Sequence, residues 1–77
     1  MTELLEFLVK ALVEDPEAVE VEELEEDGDL VYEITVADDD LGRVIGKGGR
    51  VANAIRTIAK AASTRADRRV LVEFIED

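Results

Sequence analysis

Val44-Ile45-Gly46-Lys47-Gly48-Gly49-Arg50-Val51-Ala52-Asn53-Ala54-Ile55 sets three glycines and a lysine between two apolar segments of helical spacing. Such a break does two physical things. Gly46 and Gly49 open backbone angles closed to other residues and present no Cβ, so a sugar-phosphate chain can lie directly on the main chain. The helix that restarts at Arg50 then turns its unpaired N–H groups and positive dipole end toward the phosphates, with Lys47 and Arg50 adding full charges. Base edges would fall into the neighbouring apolar groove.

Two other phosphate-binding glycine motifs fail on this stretch. Gly42-Arg43-Val44-Ile45-Gly46-Lys47 looks like a phosphate loop, but three residues separate its glycines where four are needed. Lys47 is also followed by Gly48 instead of the Ser or Thr that holds magnesium. A dinucleotide fingerprint needs a strand leading directly into the glycines and a βαβ repeat, whereas these glycines join helix to helix in a chain too short for that repeat. Nucleotide hydrolysis is therefore not expected.

Outward from the glycines, the pattern on the N-terminal side is helix, strand, strand. Thr2 is placed to cap a helix carrying Leu4, Leu5, Leu8, Ala11 and Leu12, which stops before Asp15-Pro16. Val19 and Val21 alternate with glutamates, and Leu30, Tyr32, Ile34 and Val36 repeat the period of two after an acidic turn, Glu25 to Asp29. A hairpin over residues 18–37 follows. Any of Asp38, Asp39 and Asp40 can cap the next short helix, through Leu41, Arg43, Val44 and Ile45. Three consecutive carboxylates do not converge on one ion without further ligands, so no metal is expected there.

On the C-terminal side a helix from Arg50 to about Ser63 carries Val51, Ile55, Ile58, Ala59 and Ala62 on one face and Asn53, Arg56 and Lys60 on another. Arg56 and Lys60 also suit an ordinary solvated face. Ile45, Val51 and Ile55 are read as core first and groove lining second. Arg65, Arg68 and Arg69 punctuate the loop before Val70-Leu71-Val72, Phe74 and Ile75, a run too dense in apolar residues for simple alternation and so a strand partly covered on both faces. The order is α-β-β-α-α-β, an α+β chain of one domain over residues 1–77.

The sequence Ile45-Gly46-Lys47-Gly48-Gly49 resembles the Ile-Gly-x-x-Gly signature of KH domains. The element order around it, with a helix and a strand added at the N-terminus, resembles the type II KH topology across nearly the whole chain. Length, acidity and the lack of appended domains resemble the small stand-alone bacterial members of that family. The resemblance implies a three-stranded mixed sheet backed by three helices, and a loop from Gly46 to Gly49 that clamps the backbone of short single-stranded RNA, with Lys47 and Gly48 as its variable pair. The residues it marks as RNA-binding are Arg43, Ile45, Gly46, Lys47, Gly48, Gly49, Arg50 and Asn53. It also implies self-association as a homodimer, and pairing with a larger KH-containing protein of the KhpB or Jag kind, in post-transcriptional regulation linked to cell elongation and division. The alternative is a KH-fold protein-interaction or dimerisation module with little RNA affinity of its own. The loop expected to face the nucleic-acid groove would be Glu25 to Asp29, whose acidity predicts weak, salt-sensitive binding.

Composition bounds the rest. Seventy-seven residues hold one compact domain. No export signal opens the chain and no apolar run is long enough to cross a bilayer, so a cytoplasmic address is expected. Zero cysteines and zero histidines remove thiolate chemistry and the commonest proton shuttle, and Ser63 is the single serine, so no enzyme is expected and no cofactor is implied. The formal charge of -11 should repel phosphate, but it is unevenly spread. Residues 1–40 carry sixteen acidic side chains against Lys10 alone, whereas residues 41–69 carry eight basic ones against Asp67 alone. Positive charge sits where the glycines are.

Overall fold

A computed structural model describes residues 1–63 and 68–75, and Lys47 by its backbone alone. Helix α1 (Thr2–Leu12) leads through a 3-10 turn at Pro16–Ala18 into strand β1 (Glu20–Glu26). Strand β2 (Asp29–Thr35), helix α2 (Asp38–Ala62) and strand β3 (Val70–Ile75) complete the chain. The sheet order is β1-β2-β3, with β1 antiparallel and β3 parallel to β2, and it is therefore mixed as expected. Arg65, read above as loop punctuation, lies outside the described residues.

The hairpin forms because Asp27 and Gly28 both take positive φ, 51° and 87°, the backbone sense that a two-residue turn needs to match strand twist. That turn pairs Glu26 with Asp29 and Val21 with Ile34, so Val21, Tyr32 and Ile34 fall on one face with Val70 and Val72 of β3. Leu5 and Val9 of α1 and Ile55 and Ala59 of α2 close over them. Leu5, Val9, Ile34 and Ala59 are wholly buried, and each large aliphatic side chain so buried contributes roughly 1.5–3 kcal/mol. The α1 seam is narrower than its sequence suggests. Leu4 and Leu12, counted with the core by spacing, are exposed together with Phe7.

Two capping expectations fail. Thr2 is the first residue of α1, not its cap, and the N-cap of α2 is Ala37, with no side-chain cap bond. The three aspartates all lie in the first turn of α2, where their charge meets the positive helix end. Asp40 is turned away from its own helix. Its two carboxylate oxygens accept the backbone N–H groups of Glu14 and Asp15, each at 3.0 Å, and the side chain is only 2% exposed. The bond to Glu14 foremost, with that to Asp15 and the nearby Arg43 charge, holds its pKa below the usual carboxylate value despite burial. A single buried carboxylate thus ties the end of α1 to the start of α2.

Candidate nucleic-acid interface

The two helical segments expected on either side of the glycines lie within Asp38–Ala62 and meet at the glycines without an intervening loop. Helical turns persist on both sides closely enough to form one 25-residue element, but Gly48 and Gly49 have φ of 73° and 74°. Two successive left-handed residues reverse the winding of the chain for one step, which only glycine does at little cost. The freedom attributed above to Gly46 and Gly49 therefore belongs to Gly48 and Gly49. Gly46 is not left-handed, and a methyl group built on it meets no heavy atom within 4 Å. Its bare backbone opens on space. Gly49 faces Asn53, whose amide nitrogen lies 3.7 Å from where a Cβ would sit.

Beyond this step, α2 runs antiparallel to β3. Arg56 lies opposite Val72 and Phe74, and Lys60, one turn further, shares a cleft wall with Val70. The glycines consequently sit past the C-terminal end of β3, and the hairpin turn at Asp27-Gly28 sits past its N-terminal end, because Leu30 pairs with Val70. The acidic turn does not face the glycine loop. It lies at the far end of the sheet, where Glu25 and Asp29 pair with Arg68 and Arg69 at 2.8 Å and 3.2 Å.

Between α2 and β3 runs a cleft of about 260 Å³ lined by Arg56, Lys60, Val70, Leu71, Val72 and Glu73. Arg56 is its organising side chain. Its Nε donates to the Val72 carbonyl at 3.1 Å, its Nη1 donates to Asn53 Oδ1 at 3.0 Å, and its guanidinium lies 5.8 Å from the centre of the Phe74 ring. Since the Val72 carbonyl points to Arg56 and the Arg69 carbonyl is taken by the Leu30 N–H, backbone alternation turns the polar groups of Val70, Val72 and Phe74 toward the cleft. A free strand edge, an apolar floor and two cations thus border one slot, which suits a flat base with its backbone on the cationic side.

On the α1 side of the glycines a second hollow, of about 400 Å³, is lined by Leu12, Gly42, Arg43, Gly46 and Val51. Arg43 is exposed and its Nη1 is held 2.8 Å from Glu14 Oε1. Ile45, expected to pack first, is 48% exposed, and its neighbour Val44 is the buried residue instead. Arg50 and Asn53 are exposed, Arg50 on the turn that follows the left-handed step. Seven of the eight sequence-marked residues therefore surround one exposed backbone step. The eighth is Lys47, whose side chain lies outside the described structure. By sequence Arg56 and Lys60 suit a solvated face as well as a contact role. Their spacing with Asn53 was the available signal, and what it lacked was the partner across the cleft, the free edge of β3.

The family model of the KhpA/KhpB KH domain matches residues 2–74. The chain is 49% identical over 75 residues to the RNA-binding protein KhpA of Caldanaerobacter subterraneus subsp. tengcongensis, covering 97% of this chain and 100% of that protein. It is 47% identical over 75 residues to the RNA-binding protein KhpA of Clostridium acetobutylicum, with the same coverage. To that of Listeria monocytogenes serovar 1/2a it is 45% identical over 76 residues, 99% of this chain and 100% of the relative. No solved structure matches the chain significantly.

Proposed function

The chain belongs to the KhpA/KhpB KH-domain family, and from that premise we propose that it binds short single-stranded RNA, with the sugar-phosphate chain laid over Gly46 to Gly49 and bases entering the cleft between α2 and β3. The observation that carries this reading is the left-handed step at Gly48 and Gly49 beside an unobstructed Gly46, at the open end of a cleft that holds Arg56. Arg43, Arg50 and Lys47 supply charge around the step, Ile45 an apolar contact, and Asn53 a polar one next to Gly49. Arg56 joins them on geometry. Few cations and a net charge of -11 keep the affinity modest, with a salt dependence set by the few phosphates contacted.

On this reading the protein is a binding module and not an enzyme. In support, the chain has no cysteine or histidine, and the Ser63 hydroxyl is occupied, donating to the Ala59 carbonyl at 2.6 Å. Among the described residues no helix is long and apolar enough to cross a membrane, which agrees with work in the cytoplasm on cytoplasmic RNA. Self-association, or pairing with a larger KH protein, would raise avidity for RNA that one weak site cannot hold. The exposed apolar residues Leu4, Phe7 and Leu12 of α1 favour such an association, and they support the second reading, a protein-interaction module, to the same extent.

Titrating a short unstructured RNA at low and moderate salt, followed by backbone amide shifts, separates the two. The wild type should respond from Arg43 to Asn53 and along Val70 to Phe74, and the response should vanish in Lys47→Asp, Gly48→Asp. Aspartate tolerates the left-handed backbone at position 48 better than most side chains, and the same spectra report whether the variant is folded. Absence of any RNA response from the wild type at low salt would leave only the interaction module.

A further inference from the structure

Three arginines that border the proposed RNA path are each already held by a carboxylate from the acidic half of the chain. Arg43, beside Gly46 in the second hollow, is held by Glu14 at 2.8 Å. Arg68 and Arg69, which lead into the cleft at Val70, are held by Glu25 at 2.8 Å and Asp29 at 3.2 Å. These are not neighbouring-turn pairs. The partners lie 43 and 40 positions apart in the hairpin cases, so the fold itself brings the acidic turn against the basic approach to β3. The first pair has the same character. The loop carrying Glu14 is pinned to α2 by the buried Asp40, one turn from Arg43.

We propose that Glu14, Glu25 and Asp29 are built-in competitors for RNA: each occupies a guanidinium that a phosphate would otherwise take, and RNA binds by exchanging carboxylate for phosphate on Arg43, Arg68 and Arg69. This rests on the RNA-binding reading above and extends the site past the glycine loop, along the roughly 13 Å of β3 from Phe74 to Val70, to its far end. A carboxylate and a phosphate oxygen make the same charge-assisted bond to guanidinium, so one excludes the other. All three arginines and two of the carboxylates are largely exposed and Asp29 is partly covered, so the pairs are weak enough to open. The acidic excess then has a specific effect. It sets a threshold that isolated phosphates do not pass and that a strand engaging several arginines together does.

The test separates this competition from general repulsion. A paired-site variant, Glu14→Gln, Glu25→Gln, Asp29→Asn, is compared with a control of equal charge change, Glu17→Gln, Glu20→Gln, Glu22→Gln, whose carboxylates hold no arginine among the described residues. Binding of a short dye-labelled unstructured RNA is read by fluorescence anisotropy. Surface pairs of this kind weigh about 1.5- to 5-fold each in an equilibrium, so removing all three should tighten binding by at least roughly threefold and by up to about a hundredfold, and the control at most about twofold. In addition, Arg69→Gln should weaken binding more in the Asp29→Asn background, where the guanidinium is free, than in wild type. Equal gains from both triple variants would overturn the proposal while leaving RNA binding intact. No binding by wild type, control or paired-site variant at low salt would instead remove the RNA reading itself, and this inference with it.

Discussion

Replacing Gly46 with alanine should move stability and RNA affinity in opposite directions. The residue lies within α2, outside the left-handed region, and a methyl group there meets no heavy atom within 4 Å. Glycine costs a helix interior about 0.5–1 kcal/mol relative to alanine and less in a last turn such as this one, two residues before the left-handed step, so Gly46→Ala should stabilise the fold by roughly 0.3–0.5 kcal/mol, a rise in Tm of about 1–4 °C for a domain of this size. The space the methyl fills is the space assigned to the sugar-phosphate chain. Losing one or two close backbone contacts weakens binding by about 1–2 kcal/mol, or roughly five- to thirtyfold in Kd. Urea denaturation and RNA anisotropy on the same preparations check both signs. Gly48→Ala and Gly49→Ala provide the contrast, because alanine at φ near 73° is strained by about 1–2 kcal/mol and should destabilise. An alanine at position 46 that binds RNA as well as glycine would refute the close backbone approach. One that destabilises would refute the reading of the helix at that point.

Arg56→Ala should lower stability by about 1–2 kcal/mol by freeing the Val72 carbonyl and Asn53, and should also weaken RNA binding, whereas Arg56→Lys retains charge without the planar fork and should rescue the salt dependence more than the stability. Asp40→Asn should lower Tm more than Asp38→Asn or Asp39→Asn, since Asp40 alone accepts the Glu14 and Asp15 amides. Because the folded pKa of Asp40 is depressed, its contribution is present above the ordinary carboxylate pKa of about 3.9 and is lost as pH falls through the lower folded value. Acid titrations of wild type and Asp40→Asn should therefore converge at low pH. Tyr32 shows the reverse sign: burial, then its bond to Glu23 at 2.6 Å, pushes its pKa up to about 12. Its contribution holds below about pH 10 and disappears as pH rises through the folded value, a loss that Tyr32→Phe should abolish in alkaline urea denaturation.

The hairpin, both long helical stretches and the last strand were legible because each rests on local chemistry: Asp27-Gly28 between alternating strands, Pro16 after α1, and the apolar period of α2. The exposed side of the glycine step was legible for the same reason. What local pattern could not reveal was tertiary choice. Which glycines take the left-handed step depends on how the two halves of α2 meet β3, so the sequence points to Gly46 and Gly49 for the special backbone angles whereas Gly48 and Gly49 adopt them. Asp40 resembled a cap because its helix start is in sequence, while the amides it binds lie 26 and 25 positions earlier. Leu4, Leu12 and Ile45 satisfy helical spacing as well as Leu5, Val9 and Val44 do, and only the width of the covered stripe separates them. The resemblance sets the acidic turn at the groove, and what it could not reveal is which end: the parallel pairing of β2 with β3 puts the turn away from the glycines, beside Arg68 and Arg69.

That parallel pairing also fixes when the protein becomes competent. Leu30 meets Val70 across forty positions of chain, and everything proposed to touch RNA except β3 itself lies inside that closure. Helix α1 and the β1–β2 hairpin can form from neighbouring residues, whereas the cleft has only one wall until β3 docks, which is the slowest kind of contact to make. An intermediate holding just the local elements would present the glycines without the strand edge. RNA bound across α2 and β3 would then act as a latch on the last-made contact, slowing unfolding while leaving the rate of folding almost unchanged.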